Sequence, residues 1–136
     1  MAARRVDEIM TPDYLCVQTD KTAADLQRLI SLSHEGDVFV IEGESRRLVG
    51  RLPLATLVAA RDDKTVLELC EPVKLFLQRS ENLWTGFLAM ENLVGHSLPV
   101  VADSKSMSVV GSVVESDFIA AYRKAVEQNR EEQEGR

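Results

Sequence analysis

The sequence predicts an α/β (α+β) domain in which two β-α-β-β-α repeats pack as a pseudo-twofold pair. Three observations carry that expectation. The chain has 136 residues, 45% of them hydrophobic and 28% charged, which suits one globular core. Its pattern recurs: Val6-Asp7-Glu8-Ile9-Met10-Thr11-Pro12 overlies Val66-Leu67-Glu68-Leu69-Cys70-Glu71-Pro72 at an offset of 60, as Val40-Ile41 overlies Val100-Val101. After one inserted residue the offset becomes 61, and Leu48-Val49-Gly50 overlies Val109-Val110-Gly111. Finally, apolar runs of strand length alternate with segments of helical period.

The first repeat opens with a short turn ending at Met10-Thr11-Pro12, then an extended piece, Tyr14 to Val17. Thr19 or Asp20 is placed to cap a helix over 21–34, with Ala23, Leu26, Leu29, Ile30 and Ser33 on its inner face and Gly36 as its stop. Val38 to Ile41 reads as a strand covered on both faces, Glu42 to Ser45 as a turn, and Arg47 to Arg51 as the next strand. Pro53 opens a helix through Ala60, with Leu54, Leu57 and Val58 inward.

The second repeat follows the same order. Ser80 or Glu81 starts a helix over 82–94, Gly95 ends it, and strands follow at Leu98 to Val101 and Met107 to Val113. The last helix is expected from Glu115 to Gln128, with Phe118, Ile119, Tyr122, Ala125 and Val126 as its apolar stripe. The expected boundaries are 1–63, 64–128, and a frayed polar tail, 129–136. A unit of this size is marginal alone, so the two copies are expected to share a core.

Composition excludes several functions. The net charge is −6, with 9 basic and 12 acidic residues in 1–68 and 7 and 10 in 69–136, so neither half offers a basic face for nucleic acid. No apolar run is long enough to span a membrane. Met1-Ala2-Ala3-Arg4-Arg5 leads into no apolar segment, so the reading is a cytoplasmic chain without a signal peptide. Cys16 and Cys70 read as reduced thiols, and His34 and His96 lack the spacing of a metal site. No nucleophile–base motif is present, so no catalytic residue is expected and the chain reads as a non-enzyme.

The opening Met10-Thr11-Pro12, the run Ser97-Leu98-Pro99-Val100-Val101-Ala102-Asp103, and Gly111-Ser112-Val113-Val114-Glu115-Ser116-Asp117-Phe118, arranged within a doubled unit, resemble a tandem CBS (cystathionine-β-synthase) module over nearly the whole chain. The stretch Glu115 to Ala125 further resembles the end of the modules that follow the membrane domain of bacterial ClC-type chloride channels and transporters. The resemblance implies a cytosolic regulatory module, homodimeric, attached to a membrane domain. It requires no cofactor and takes adenosine, AMP or ATP as an optional ligand between the copies. Alternatives are a stand-alone nucleotide sensor that regulates a soluble enzyme, and a ligand-free dimerisation module.

The resemblance also implies a site pattern, Gly-h-h-[Thr/Ser]-x-x-Asp, whose acid binds ribose hydroxyls and whose hydroxyl meets phosphate. In the second copy Asp117 is in place, Val114 replaces the hydroxyl, and Ser116 lies beside it, although Ser116 and Asp117 equally suit an ordinary helix start. In the first copy Pro53 and Thr56 replace both groups, so that cleft is expected to be non-binding. The nucleotide set expected for the other cleft is Asp117, Ser116, Gly36, Val38, Val40 and Thr11. Glu35, Asp37 and Glu115 are placed at its mouth, where they would disfavour triphosphates; Arg51 or Arg47 would be the first suspects were a cation to reach the phosphates. The helix over 82–94 is apolar around most of its girth, so it is expected to be covered on two sides; the resemblance implies a dimer interface at Trp84, Phe87 and Leu88, the alternative being a neighbouring helix of the same chain.

Overall fold

The computed structural model describes residues 4–30, 37–92 and 97–134, with side chains to 130. The strands are β1 (Cys16–Gln18), β2 (Val38–Glu42), β3 (Arg47–Leu52), β4 (Leu77–Gln78), β5 (Leu98–Val101) and β6 (Val109–Val113). The helices are α1 (Ala23–Leu29), α2 (Leu54–Ala59), α3 (Val66–Leu69), α4 (Leu83–Ala89) and α5 (Glu115–Glu134), with 3-10 turns at Val6–Glu8 and Met90–Asn92.

Each copy forms a three-stranded sheet, β1-β2-β3 or β4-β5-β6, with one parallel and one antiparallel pairing. The two hairpins carry equivalent irregularities, between Val40 and Ile41 and between Val100 and Val101. The copies join at the starts of β3 and β6. There Arg46 and Met107, 61 residues apart, both take left-handed backbone (φ 56° and 52°). Their carbonyls exchange bonds across the pseudo-axis: Val109 N donates to Arg46 O at 3.0 Å and Leu48 N to Met107 O at 2.9 Å. A left-handed residue that is not glycine costs about 1–2 kcal/mol, which the paired cross-copy bonds offset.

The cores interlock. Val17, Ala23, Leu26, Val38, Val40, Leu52 and Leu57 of the first copy close around Val66, from the turn that opens the second. Reciprocally, Val6 of the first opening turn is wholly buried among Leu77, Leu83, Leu98, Val100, Val113 and Phe118. Each copy's opening segment therefore caps its neighbour's core. A third cluster, Phe39, Ile41, Leu48, Val101 and Val109, fills the space between the sheets.

Several local expectations change. Thr22 caps α1, in a capping box with Asp25, and Asn82 caps α4; these sit one to three residues beyond the expected caps. The first helix ends at Leu29 because Ile30 turns extended to pack on the core. Residues 31–36 and 93–96, with the expected stops Gly36 and Gly95, lie outside the described residues. Leu29 and Val58 face outward, at 62% and 79% exposure, because short helices bring only part of a wide apolar stripe onto the sheet. α5 continues to Glu134, since Arg130 to Glu134 are good helix formers without a breaker before Gly135.

Three carboxylates that hold local turns have pKa values lowered from their ordinary range. Backbone N–H donors are the largest cause in each case: Arg5 for Glu8, Thr22 for Asp25 and Ser106 for Asp103. A lowered folded-state pKa gives stability that is present above the unfolded value and lost as pH falls through the folded one. The denaturation midpoint is therefore expected to hold from neutral pH down to the ordinary carboxylate range and to fall below it. The triple variant Glu8→Gln, Asp25→Asn, Asp103→Asn should show a shallower acid decline. Equal acid slopes for the two proteins would contradict this assignment.

Candidate functional site

Two glycines bring the copies close enough to frame clefts. A Cβ on Gly50 would sit 2.5 Å from Glu71 O and 2.9 Å from Cys70 Sγ; one on Gly111 would sit 2.6 Å from Met10 Sδ. The absent side chains allow equivalent backbone exchanges: Arg51 with Glu71 (2.9 and 2.8 Å), and Ser112 with Thr11 (3.0 and 2.8 Å). Each opening segment is thereby stitched to the second hairpin strand of the other copy.

Beside the first stitch lies a cavity of about 370 Å³. Phe39 and Arg51 wall it from the first copy; Pro72 to Leu75 and Ser97 to Pro99 wall it from the second. Its surface is mostly apolar and carries two cations, Arg51 and Lys74, with Glu71 also on the lining. Arg51 pairs with Asp37, whose side chain is 6% exposed against 18% for Arg51. The hairpin register accounts for the pair: Phe39 lies opposite Arg51, and Asp37 precedes Phe39 by two on the same sheet face. An apolar chamber with a few cationic groups suits a flat ring bearing an anion.

This cavity belongs to the cleft marked as altered by Pro53 and Thr56. Pro53 caps α2 without a side-chain bond, and neither residue lines the cavity. The residues expected to form the opposite site are engaged in local structure or core where they are described. Asp117 Oδ2 accepts from Val114 N at 2.9 Å, so the carboxylate caps α5, and its outer side faces a shallow depression with Arg4 and Lys124. Ser116 is exposed in the first turn of α5. Thr11 pairs by backbone with Ser112, while its Oγ1 accepts from Asp13 N at 3.1 Å. Val38 and Val40, expected as apolar walls, are instead wholly buried in the first copy's core, because the intervening Phe39 takes the cleft-facing side. Gly36 and Glu35 lie outside the described residues. Asp37 is not a mouth acid: it is buried against Arg51, which neutralises it. Glu115 is exposed at the start of α5.

The helical side carries a second surface. Trp84 and Leu88 are 48% and 44% exposed, and Phe87 lies between the Trp84 ring, stacked at 6.2 Å, and the buried Phe118, edge-on at 6.3 Å. Ile119, Tyr122 and Val126 continue the exposed apolar surface along α5, which packs beside α4. No described helix is long and apolar enough to cross a membrane.

No family model matches the chain, and no curated protein matches it in sequence. Solved structures match its fold. It is similar to the cystathionine beta-synthase pair domain of a protein assigned as a Mg2+ transporter in Shewanella oneidensis MR-1, with TM-score 0.77 and 18% identity over 90% of this chain and 72% of that one. It is similar to the cytosolic domain of the Mg2+ channel MgtE in complex with ATP (TM-score 0.72, 24% identity, 83% of this chain), of which it spans 46%. A third likeness is CBSX2 in complex with AMP, with TM-score 0.73 and 20% identity over 90% of this chain and 98% of that one. The chain has the α+β fold of these CBS-pair domains.

Proposed function

We propose that this chain is a regulatory CBS-pair module that senses an adenine nucleotide in the cavity between Phe39, Arg51 and Ser97 to Pro99, and works as a homodimer on the cytosolic side of a membrane transporter. The observation that carries the reading is the cavity itself. It is an apolar chamber built jointly by the two copies, with cations on its wall. A ligand there touches both copies and so biases their relative placement, which an attached domain can read as a population shift without any catalysed reaction. The ATP and AMP complexes of MgtE and CBSX2 support adenine as the ligand class, and the Mg2+ transporter domains support a membrane-transport parent. The narrower ClC-type parent rests on the Glu115 to Ala125 stretch alone. The surface of Trp84, Leu88 and Tyr122 supports the dimer, because an exposed apolar area spread over two packed helices marks an association surface.

Calorimetry with AMP tests the reading. One site per chain is expected. Ser97→Phe, which fills the cavity, should abolish binding, while Asp117→Ala should leave affinity within about twofold, the cap of α5 being remote from the cavity. Binding lost in Asp117→Ala and kept in Ser97→Phe would move the site to the opposite cleft.

A further inference from the structure

The Arg51–Asp37 pair stands apart from the other ion pairs among the described residues, each of which has at least one partner more than 45% exposed. Withdrawing two charges from water is costly, and the fold does not demand it. At the pseudo-equivalent positions, 60 and 61 residues on, the second copy has Ser97 and Ser112, both neutral, in the same backbone setting. A second asymmetry accompanies the first. Lys74 lines the cavity, whereas its counterpart, Tyr14, is an aromatic ring packed at 6.0 Å against Phe39, which itself walls the cavity. One cleft has thus acquired two cations, Arg51 and Lys74, on an open chamber, while their counterparts, Ser112 and Tyr14, are neutral.

We propose that Asp37 is an internal stand-in for the ligand's anion: a phosphate monoester on a heterocyclic ring enters the cavity and takes Arg51 over from Asp37, with Lys74 as the second cation. The proposal rests on the cavity being the ligand site and adds what is selected there. A guanidinium accepts carboxylate or phosphate in the same forked geometry, so one can replace the other. The resident carboxylate sets a threshold, because the ligand must supply more negative charge than it displaces. A neutral nucleoside cannot make the exchange. It binds by its ring alone and leaves Arg51 with Asp37. The exchange also acts on the residue that leads into β2, so phosphate and nucleoside leave the first copy in different states.

Calorimetry with AMP and adenosine on the native chain, Asp37→Asn and Arg51→Gln tests this, with melting temperatures checking that each variant is folded. The native chain should bind AMP about tenfold more tightly than adenosine, since hydrogen bonds between charged groups are the strong ones. Asp37→Asn should raise AMP affinity about three- to tenfold and leave adenosine unchanged, because the competing carboxylate is gone. Arg51→Gln should lose most of the preference for AMP, keeping only what Lys74 supplies. Should Asp37→Asn fail to fold, the side-chain carboxyl signal of Asp37 in the native chain serves instead: it should move with AMP and stay with adenosine. AMP affinity unchanged or weakened in a folded Asp37→Asn, or a carboxyl signal indifferent to AMP, would overturn the proposal. Inorganic phosphate separates this from the adenine reading. If neither adenine ligand binds, but phosphate raises the melting temperature of the native chain and not of Arg51→Gln, the adenine reading fails and the anion site stands. If phosphate has no effect either, both fail.

Discussion

Phe118→Ala is expected to destabilise the protein by about 3–5 kcal/mol, the range for removing a wholly buried aromatic ring from a core. Phe118 has no exposed surface and touches the parts on which the second copy depends. Its ring rests on α4 at Gly86, where a Cβ would come within 2.8 Å of Phe118 Cε1, and it meets Phe87 edge-on. Val6 from the first opening turn packs into the same cluster, so the cavity left by the ring also loosens the seal between copies. Relaxation into the gap is limited, because Val100 and Val113 lie on paired strands and Leu83 N is bonded to Arg4 O at 2.9 Å. A domain of this size has about 5–15 kcal/mol in total, so the variant should be marginal near body temperature. Chemical denaturation at neutral pH gives the difference directly. A loss below about 1 kcal/mol would mean that α5 does not close the second core as described.

Trp84→Glu is expected to dissociate the proposed dimer, weakening association by about thirtyfold or more, as for an interface residue worth at least 2 kcal/mol. Trp84 suits that role because its ring is half exposed while its other side stacks on Phe87, which is itself fixed by Phe118. A rigid aromatic presented in this way loses little freedom on binding. Glutamate there would bury a charge at the centre of the surface formed with Leu88, Ile119 and Tyr122. Its folding cost should be small, since the site faces outward. Sedimentation at micromolar concentration should give twice the chain mass for the native protein and the chain mass for the variant. A native chain that stays monomeric at every concentration would contradict the assignment of this face.

The repeat was readable because the fold reuses backbone geometry that only certain residues allow. Gly50 and Gly111 sit where a side chain would strike the other copy, and Val40-Ile41 and Val100-Val101 sit in equivalent hairpins. The site was less readable, for reasons of direction and pairing. An unbroken apolar run such as Val38 to Ile41 does not declare which residues face the helices and which face the other sheet, so the sequence alone points Val38 and Val40 to the cleft when they face the core. Asp37 and Arg51 are separated by a hairpin with an irregular register; until that register is known, the acid reads as a carboxylate at the cleft mouth and the arginine as one of two strand cations that could reach a phosphate, not as a pair. The exchange of opening turns is a long-range contact with no local signal: Val6 and Val66 look like ordinary apolar residues of their own copies.

An AMP titration followed by amide chemical shifts decides which of the two pseudo-equivalent clefts takes the ligand. The signals of Phe39, Arg51, Lys74 and Ser97 should move together and saturate at one AMP per chain, while those of Thr11, Ser116 and Asp117 stay in place. Saturable shifts at Thr11, Ser116 and Asp117 with a silent cavity would contradict the cavity as the ligand site.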